Sequence, residues 1–336
     1  MSKSLALVYR PKTWNEVTEQ REIVTILQNQ IESGDIKGAY CFVGAAGTGK
    51  TTCARIFANE INHGEGMPIE MDAASHNSVE DVREITNMAQ TKAIDAEYKV
   101  FILDEVHMFS ANAWAAMLKL IEEPPARCVF ILCTTDYWKI PKTIQSRCQR
   151  YQFQRISTSG IVDRLIDVVG MESVEDWDDD ALNFIARRSD GCMRDALTTL
   201  DKCLALSEEL TMDNVTKALG LSHQEDFVTL TDNILLHETK SILELLERFY
   251  AEGIDMKQFV KDYLHFILDV NKYLIMRSID YTQLTQDVVK WVDKWADEDG
   301  VLDDLNDLLK MLIDLDSDIK WDSSPLYTIE ARFMMA

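Results

Sequence analysis

Gly44-Ala45-Ala46-Gly47-Thr48-Gly49-Lys50-Thr51 fits the pattern G-x-x-x-x-G-K-[ST] at every position. Ahead of it, Ala39–Val43 is an apolar run the length of a buried strand, and behind it Thr51–Ile61 has helical periodicity. That setting gives the match its meaning. A Gly-rich turn from strand to helix lets backbone N–H groups curl around a phosphate, and the helix N-terminus adds positive potential. Gly44, Ala45, Gly47, Thr48, Gly49 and Thr52 are therefore read as the nucleotide cradle. Lys50 is read as the cation that neutralises the β- and γ-phosphates, and Thr51 as a Mg2+ ligand.

Working outward, Val100–Leu103 is a second apolar strand, and it runs into Asp104-Glu105. A carboxylate at the carboxyl end of a strand beside a phosphate loop can reach the Mg2+ shell, so Asp104 is assigned to the metal. Glu105 is assigned to the water in line with the γ-phosphate. The competing reading is a solvated helix N-terminus, where acids are also favoured. Glu22–Ile31, Val79–Lys92 (with Ser78 as N-cap) and Ala113–Glu122 read as helices, the last stopped by Pro124-Pro125. Ile69–Asp72 and Val129–Cys133 read as further strands. Short apolar strands alternating with helices predict a parallel α/β sheet covered on both faces.

After Phe153 the strands fade. Segments 160–169, 178–188, 192–206 and 212–219 read as short helices, and from about 224 the helices lengthen. Apolar stripes run through Ile242, Leu245, Leu246 and Phe249, through Phe259, Tyr263, Phe266, Ile267 and Val270, and through Leu302, Leu305, Leu309 and Leu312. Such stripes need something to pack against.

The chain has 336 residues, enough for two to three domains, and a net charge of −23. Taken whole, that charge argues against a polyanionic ligand. It is unevenly spread: residues 1–160 carry 17 Lys and Arg against 19 Asp and Glu, while residues 161–336 carry 17 against 38. The first part is thus close to neutral and can meet phosphates. Seven scattered cysteines with no CxxC pair read as reduced, mostly buried thiols, which points to the cytoplasm. No apolar run is long enough to span a bilayer and Met1–Arg10 has no apolar leader core, so no membrane association is expected.

A longer set of motifs accompanies the phosphate loop. In order these are Tyr9-Arg10-Pro11, Asp72-Ala73-Ala74-Ser75, Asp104-Glu105-Val106-His107-Met108 and Leu118-Lys119-Leu120-Ile121-Glu122-Glu123-Pro124-Pro125. Thr134-Thr135-Asp136, Ser146-Arg147-Cys148 and Gly191-Cys192-Met193-Arg194-Asp195-Ala196-Leu197 follow. This series closely resembles the tau/gamma motor subunits of the bacterial DNA polymerase III clamp loader, which are AAA+ ATPases. The likeness is strong over residues 1–206 and traceable to Ser324–Glu330, which looks like the family's last collar helix.

The resemblance implies an AAA+ module at 1–156, a small helical lid at 157–221 and an all-α collar at 222–336. Thr135 would be sensor 1, and Arg147 an arginine finger reaching into a neighbouring subunit's ATP site. Arg194 would be sensor 2, and Tyr9, Arg10, Pro11 and Val17 would wall the adenine. Arg83 and Lys119 would face DNA. The implied activity is ATP hydrolysis with Mg2+, coupled to opening a sliding clamp and loading it onto primer–template DNA. The implied assembly is a pentameric ring holding several copies of this chain, joined through the collar; the alternative for the collar stripes is a bundle closed within one chain.

The family's four-cysteine zinc module is missing from Asn62–Met71, so no zinc is expected. The Val-Gly-Gln near the adenine is replaced by Val17-Thr18-Glu19-Gln20. A stripped chain of this kind suggests a phage-encoded or highly divergent copy. Competing functions are a non-hydrolysing scaffold subunit and another AAA+ machine, such as a branch-migration motor or a helicase loader.

Overall fold

The structure, a computed structural model, describes residues 4–335 except 94, 175, 220–223, 297 and 299. The chain separates into two compact units, Met1–Glu175 with Ser189–Asp201, and Asp176–Arg188 with Lys202–Ala336. The boundary expected at 221/222 lies outside the described residues.

The first unit is built on strands β1 (Ala39–Val43), β2 (Ile69–Asp72), β3 (Lys99–Asp104), β4 (Cys128–Thr134) and β5 (Gln149–Gln152). All pairings are parallel, in the order β2-β3-β4-β1-β5. Helices α1 (Leu5–Val8), α2 (Arg21–Ser33), α3 (Lys50–Ile61), α4 (Val79–Ala89), α5 (Ala111–Glu122), α6 (Lys142–Gln145) and α7 (Thr158–Met171) belong to it.

β1 and β4 are buried at every position, as expected of central parallel strands that are apolar on both faces. Alternate residues then feed two cores. Cys41, Phe101, Phe130 and Leu132 pack on one face with Val82 and Ile85 of α4 and Trp114 and Met117 of α5. Tyr40, Phe42, Ile102 and Ile131 pack on the other with Leu27 of α2 and Ile56 and Phe57 of α3. Each large apolar side chain taken fully out of water contributes about 1.5–3 kcal/mol, and the two layers hold the strand ends at fixed spacing.

Two points depart from the sequence reading here. A fifth strand that it does not include follows Cys133: β5, an edge strand on which only Tyr151 is buried. Its polar neighbours hide it from a reading based on apolar runs. α4 ends at Ala89 rather than Lys92, where Lys99 Nζ takes the Met88 carbonyl at 2.6 Å. The Ser78 cap is present as a full capping box, with Asp81 N–H donating to Ser78 Oγ at 3.2 Å and Ser78 N–H donating to Asp81 Oδ2 at 2.9 Å.

The remaining helices are α8 (Asp179–Arg188), α9 (Met193–Leu206), α10 (Met212–Ala218), α11 (Gln224–Leu235), α12 (Thr239–Ala251), α13 (Met256–Met276), α14 (Gln286–Trp295), α15 (Val301–Ile319) and α16 (Pro325–Phe333). α9 begins in the first unit, and its last turns belong to the second. In the second unit α11 to α16 share one apolar core. The stripes on α12 and α13 are buried in it as expected. The α15 stripe is displaced in part: Leu305 and Leu312 are in the core but Leu302 is 39% exposed, and the core positions are Val301, Leu305, Leu308, Leu312, Leu315 and Ile319. In the first turn it is Val301, one position before Leu302, that faces the core. The inference that these stripes need a second chain is also overturned, since they bury one another within this chain.

Candidate functional site

The site grows from the carboxyl ends of β1 and β3, where a parallel sheet leaves a crevice. After β1 the chain turns through the phosphate loop, and α3 starts directly at Lys50. Gly49 caps that helix at φ +101°, a conformation reserved for glycine. Gly47 has φ +66°, and a Cβ there would overlap Cys192 Sγ. Met193 N–H also donates to the Gly47 carbonyl at 3.2 Å, so the loop is seated against the start of α9.

Lys50 Nζ donates to the carbonyls of Gly44 and Ala45, both at 2.8 Å. Burial lowers its pKa from the ordinary lysine value, and the Glu105 and Asp104 carboxylates oppose that shift. Thr51 Oγ1 donates to Asp104 Oδ2 at 2.7 Å, so the two residues assigned to Mg2+ already touch. A hydroxyl and a carboxylate are hard oxygen donors of the kind Mg2+ takes, and the pair fits that ion. Asp104 Oδ1 accepts the Glu105 N–H at 3.0 Å, and Glu105 Oε2 accepts from Thr135 Oγ1 at 3.1 Å.

These groups open onto a cleft of about 660 Å3, a volume suited to a nucleotide. Tyr9, Arg10, Pro11 and Val17 line it together with Gly47, Thr48, Gly49, Lys50, Thr51 and Thr52 of the loop and helix start, and with Asp104, Glu105 and Arg194. Arg10 Nε donates to Thr52 Oγ1 at 3.1 Å. Its pKa is lowered, first by burial and then by Arg55 and Arg194, while the Glu70 and Asp104 carboxylates oppose the shift. The Tyr9 hydroxyl donates to Glu172, which raises the Tyr9 pKa. Gly44 and Ala45 act through their carbonyls on Lys50, and Thr135 acts through Glu105.

Arg147 stands elsewhere. It follows α6, pairs with Glu122 at 2.7 Å, donates to the Thr143 carbonyl at 2.7 Å, and sits in a recess with Lys37, Pro124 and Cys148. Arg83 on α4 is exposed and pairs with Glu80 at 3.5 Å, while Lys119 on α5 is exposed; α4 and α5 pack together.

Residues outside the predicted set also line the cleft or brace it. Asp72 ends β2 in register with Asp104, and the strand-end rule that selected Asp104 selects it equally. Arg164 of α7, with its side chain only 12% exposed, donates to the Tyr9 carbonyl at 3.1 Å. Gln20, buried, donates to the Gln154 carbonyl at 2.7 Å and ties the N-terminal segment to the chain just after β5. Arg164 stands in no motif, and Gln20 ends the Val17-Thr18-Glu19-Gln20 segment. Glu19, where the resemblance expects Gly, has φ +59°, and its carboxylate accepts the Ser157 N–H at 3.1 Å.

Three family models match the chain in succession: "DNA polymerase III, delta subunit" over residues 61–157, "DNA polymerase III clamp loader subunit, ATPase lid domain" over 160–209, and "DNA polymerase III subunits gamma and tau domain III" over 210–331. The chain is 34% identical over 289 residues to DNA polymerase III subunit gamma of Buchnera aphidicola subsp. Acyrthosiphon pisum, covering 80% of each. To DNA polymerase III subunit tau of Bacillus subtilis it is 35% identical over 294 residues, covering 81% of this chain and 52% of that one; it spans about half of that relative's length. Among solved structures it resembles the Thermotoga maritima RuvB Holliday junction branch migration motor, with a TM-score of 0.54, 17% identity, and coverage of 74% of this chain and 86% of RuvB. At that identity the likeness shows the AAA+ fold and nothing narrower. No described helix is long and apolar enough to cross a membrane.

Proposed function

The chain belongs to the gamma/tau family of DNA polymerase III subunits, and from that premise we propose that it is the ATP-hydrolysing motor of a clamp loader. It would use ATP to open a sliding clamp and place it on primer–template DNA, within a pentameric ring that holds several copies of the chain. The observation that carries this reading is the convergence of Lys50, Thr51, Asp104 and Glu105 in one cleft, with Thr51 bonded to Asp104 at 2.7 Å. A scaffold subunit that only bound nucleotide would not require Glu105. The RuvB likeness is one of fold, and the gamma/tau domain III match favours the clamp-loader reading over a branch-migration motor or helicase loader.

In this reading Lys50 leaves the two carbonyls for phosphate oxygens, and Thr51 with Asp104 holds Mg2+. The metal, when bound, neutralises charge on the phosphates. Glu105 orients the attacking water and takes its proton. Arg194 joins the phosphate end of the cleft, and Tyr9, Arg10, Pro11 and Val17 hold the base. Arg147 lies outside its own chain's cleft, which supports its acting in a neighbour's site, where a guanidinium stabilises transition-state charge. Arg83 and Lys119 are proposed phosphate contacts for DNA. We further propose the division into motor (1–156), lid (157–221) and collar (222–336), the collar joining subunits through surfaces other than its buried stripes.

The test mixes two inactive variants. Rings of Lys50→Ala alone or Arg147→Ala alone should lose clamp- and DNA-stimulated ATPase. Mixed rings should recover part of it, because some interfaces pair an intact Lys50 with an intact Arg147. Full activity in Arg147→Ala rings would overturn the assignment in trans.

A further inference from the structure

We propose that His107 is a positioning residue for Glu105, so that an imidazole as well as the Thr135 hydroxyl sets the water-orienting carboxylate. The proposal rests on the reading of Glu105 given above and goes beyond it.

Glu105 leaves β3 with φ +47° and ψ +40°, a left-handed conformation that a residue other than glycine adopts only when its surroundings impose it. The short turn Val106–Met108 follows, closed by Met108 N–H donating to the Glu105 carbonyl at 2.9 Å. This tight turn brings the His107 ring back beside the Glu105 side chain. His107 Nδ1 lies 3.2 Å from Glu105 Oε2, the same oxygen that accepts from Thr135 Oγ1. Nδ1 also lies 3.2 Å from Thr134 Oγ1.

The partners fix the tautomer. A carboxylate only accepts, so Nδ1 faces Glu105 favourably when it carries a hydrogen. Thr134 is fully buried; its hydroxyl donates to the Asp136 carbonyl at 3.2 Å and accepts the Asp136 N–H at 3.0 Å. Its hydrogen is therefore engaged, and it offers Nδ1 a lone pair. Both neighbours call for the same Nδ1–H form, an assignment made from partners rather than from an observed hydrogen.

The result is a carboxylate whose Oε2 accepts from the Thr135 hydroxyl and has the His107 ring nitrogen 3.2 Å away, with Oε1 left for a water. The His107 side chain is 13% exposed against 34% for Glu105, and only Glu105 lines the cleft. His107 thus acts through Glu105 and not on the substrate. Because Thr134 and Thr135 both lie at the end of β4, the imidazole and the hydroxyl tie Glu105 to the strand next to its own.

The experiment compares His107→Leu, which removes the donor, with His107→Asn, whose side-chain N–H can stand near the Nδ1 position. Wild type and both variants are assayed as complete rings with clamp, primed DNA and Mg2+-ATP. His107→Leu should lose about tenfold or more in kcat, within the cost of misplacing a reacting group, with KM for ATP and binding of a fluorescent ATP analogue unchanged. His107→Asn should return to within about threefold of wild type. In a Glu105→Gln background, His107→Leu should cost nothing further, because there is no longer a base to position. His107→Leu turning over at the wild-type kcat would overturn the proposal. So would an equal loss in the Leu and Asn variants accompanied by a fall in melting temperature, or a full tenfold loss surviving in Glu105→Gln. A wild type with no ATPase would defeat the motor reading itself, and this proposal with it.

Discussion

In the sheet unit, Lys50 and Asp104 line one cleft because parallel strands deliver their carboxyl ends to one edge, and Arg10 of the N-terminal segment and Arg194 of α9 join them there. In the helical unit the polar groups that enter the core serve the helices themselves. Asp232 Oδ1 takes the indole N–H groups of Trp291 and Trp295 at 2.9 and 3.1 Å, and the buried hydroxyls of Thr231 and Tyr263 stand 2.9 Å apart. The charge follows the same contrast. Residues 1–160 are nearly neutral and include Arg10 and Lys50 of the cleft, while residues 161–336 carry 38 acids against 17 bases. A total of −23 therefore describes mainly the outside of a helical framework and says little about a phosphate site.

The comparison breaks most visibly if chemistry and framework cannot be separated. Glu105→Gln should lower kcat by about 100-fold or more, the range expected for removing a general base, with nucleotide affinity and the unfolding of the helical unit unchanged; steady-state kinetics and calorimetry check both. The converse is Leu312→Ala. It should destabilise the helical unit by about 2–5 kcal/mol in denaturant melts and leave binding of a fluorescent nucleotide intact. Leu302→Ala, at an exposed position on the same helix, should stay within about 0.5 kcal/mol, and a large loss there would restore the original stripe. The smallest effect belongs to Ser78→Ala, which removes the α4 cap and should cost about 1 kcal/mol with kcat unchanged.

What could be read before the structure follows the same physics. The phosphate loop, the Asp104-Glu105 strand end and the Ser78 cap are local patterns, and each stands where the sequence placed it. β5 was missed because an edge strand needs few apolar residues, and Gln149–Gln152 buries only Tyr151. Half of the α15 stripe, Leu305 and Leu312, stands in the core, whereas Leu302 and Leu309 lie one position past the buried Val301 and Leu308, because both sets fit helical spacing. Only neighbouring helices decide between the two. Arg164 reaches the site and Gln20 braces it through folding alone, whereas Asp72 carries the same strand-end signal as Asp104.

The central claim is that the cleft of the sheet unit hydrolyses ATP, and its most direct test is the Mg2+-dependent ATPase rate of the wild-type chain beside Lys50→Ala, in rings supplied with clamp and primed DNA. The account predicts turnover in wild type, stimulated by clamp and DNA, and at least a 100-fold loss in Lys50→Ala. Equal rates in the two proteins, or no turnover in wild type, would contradict it.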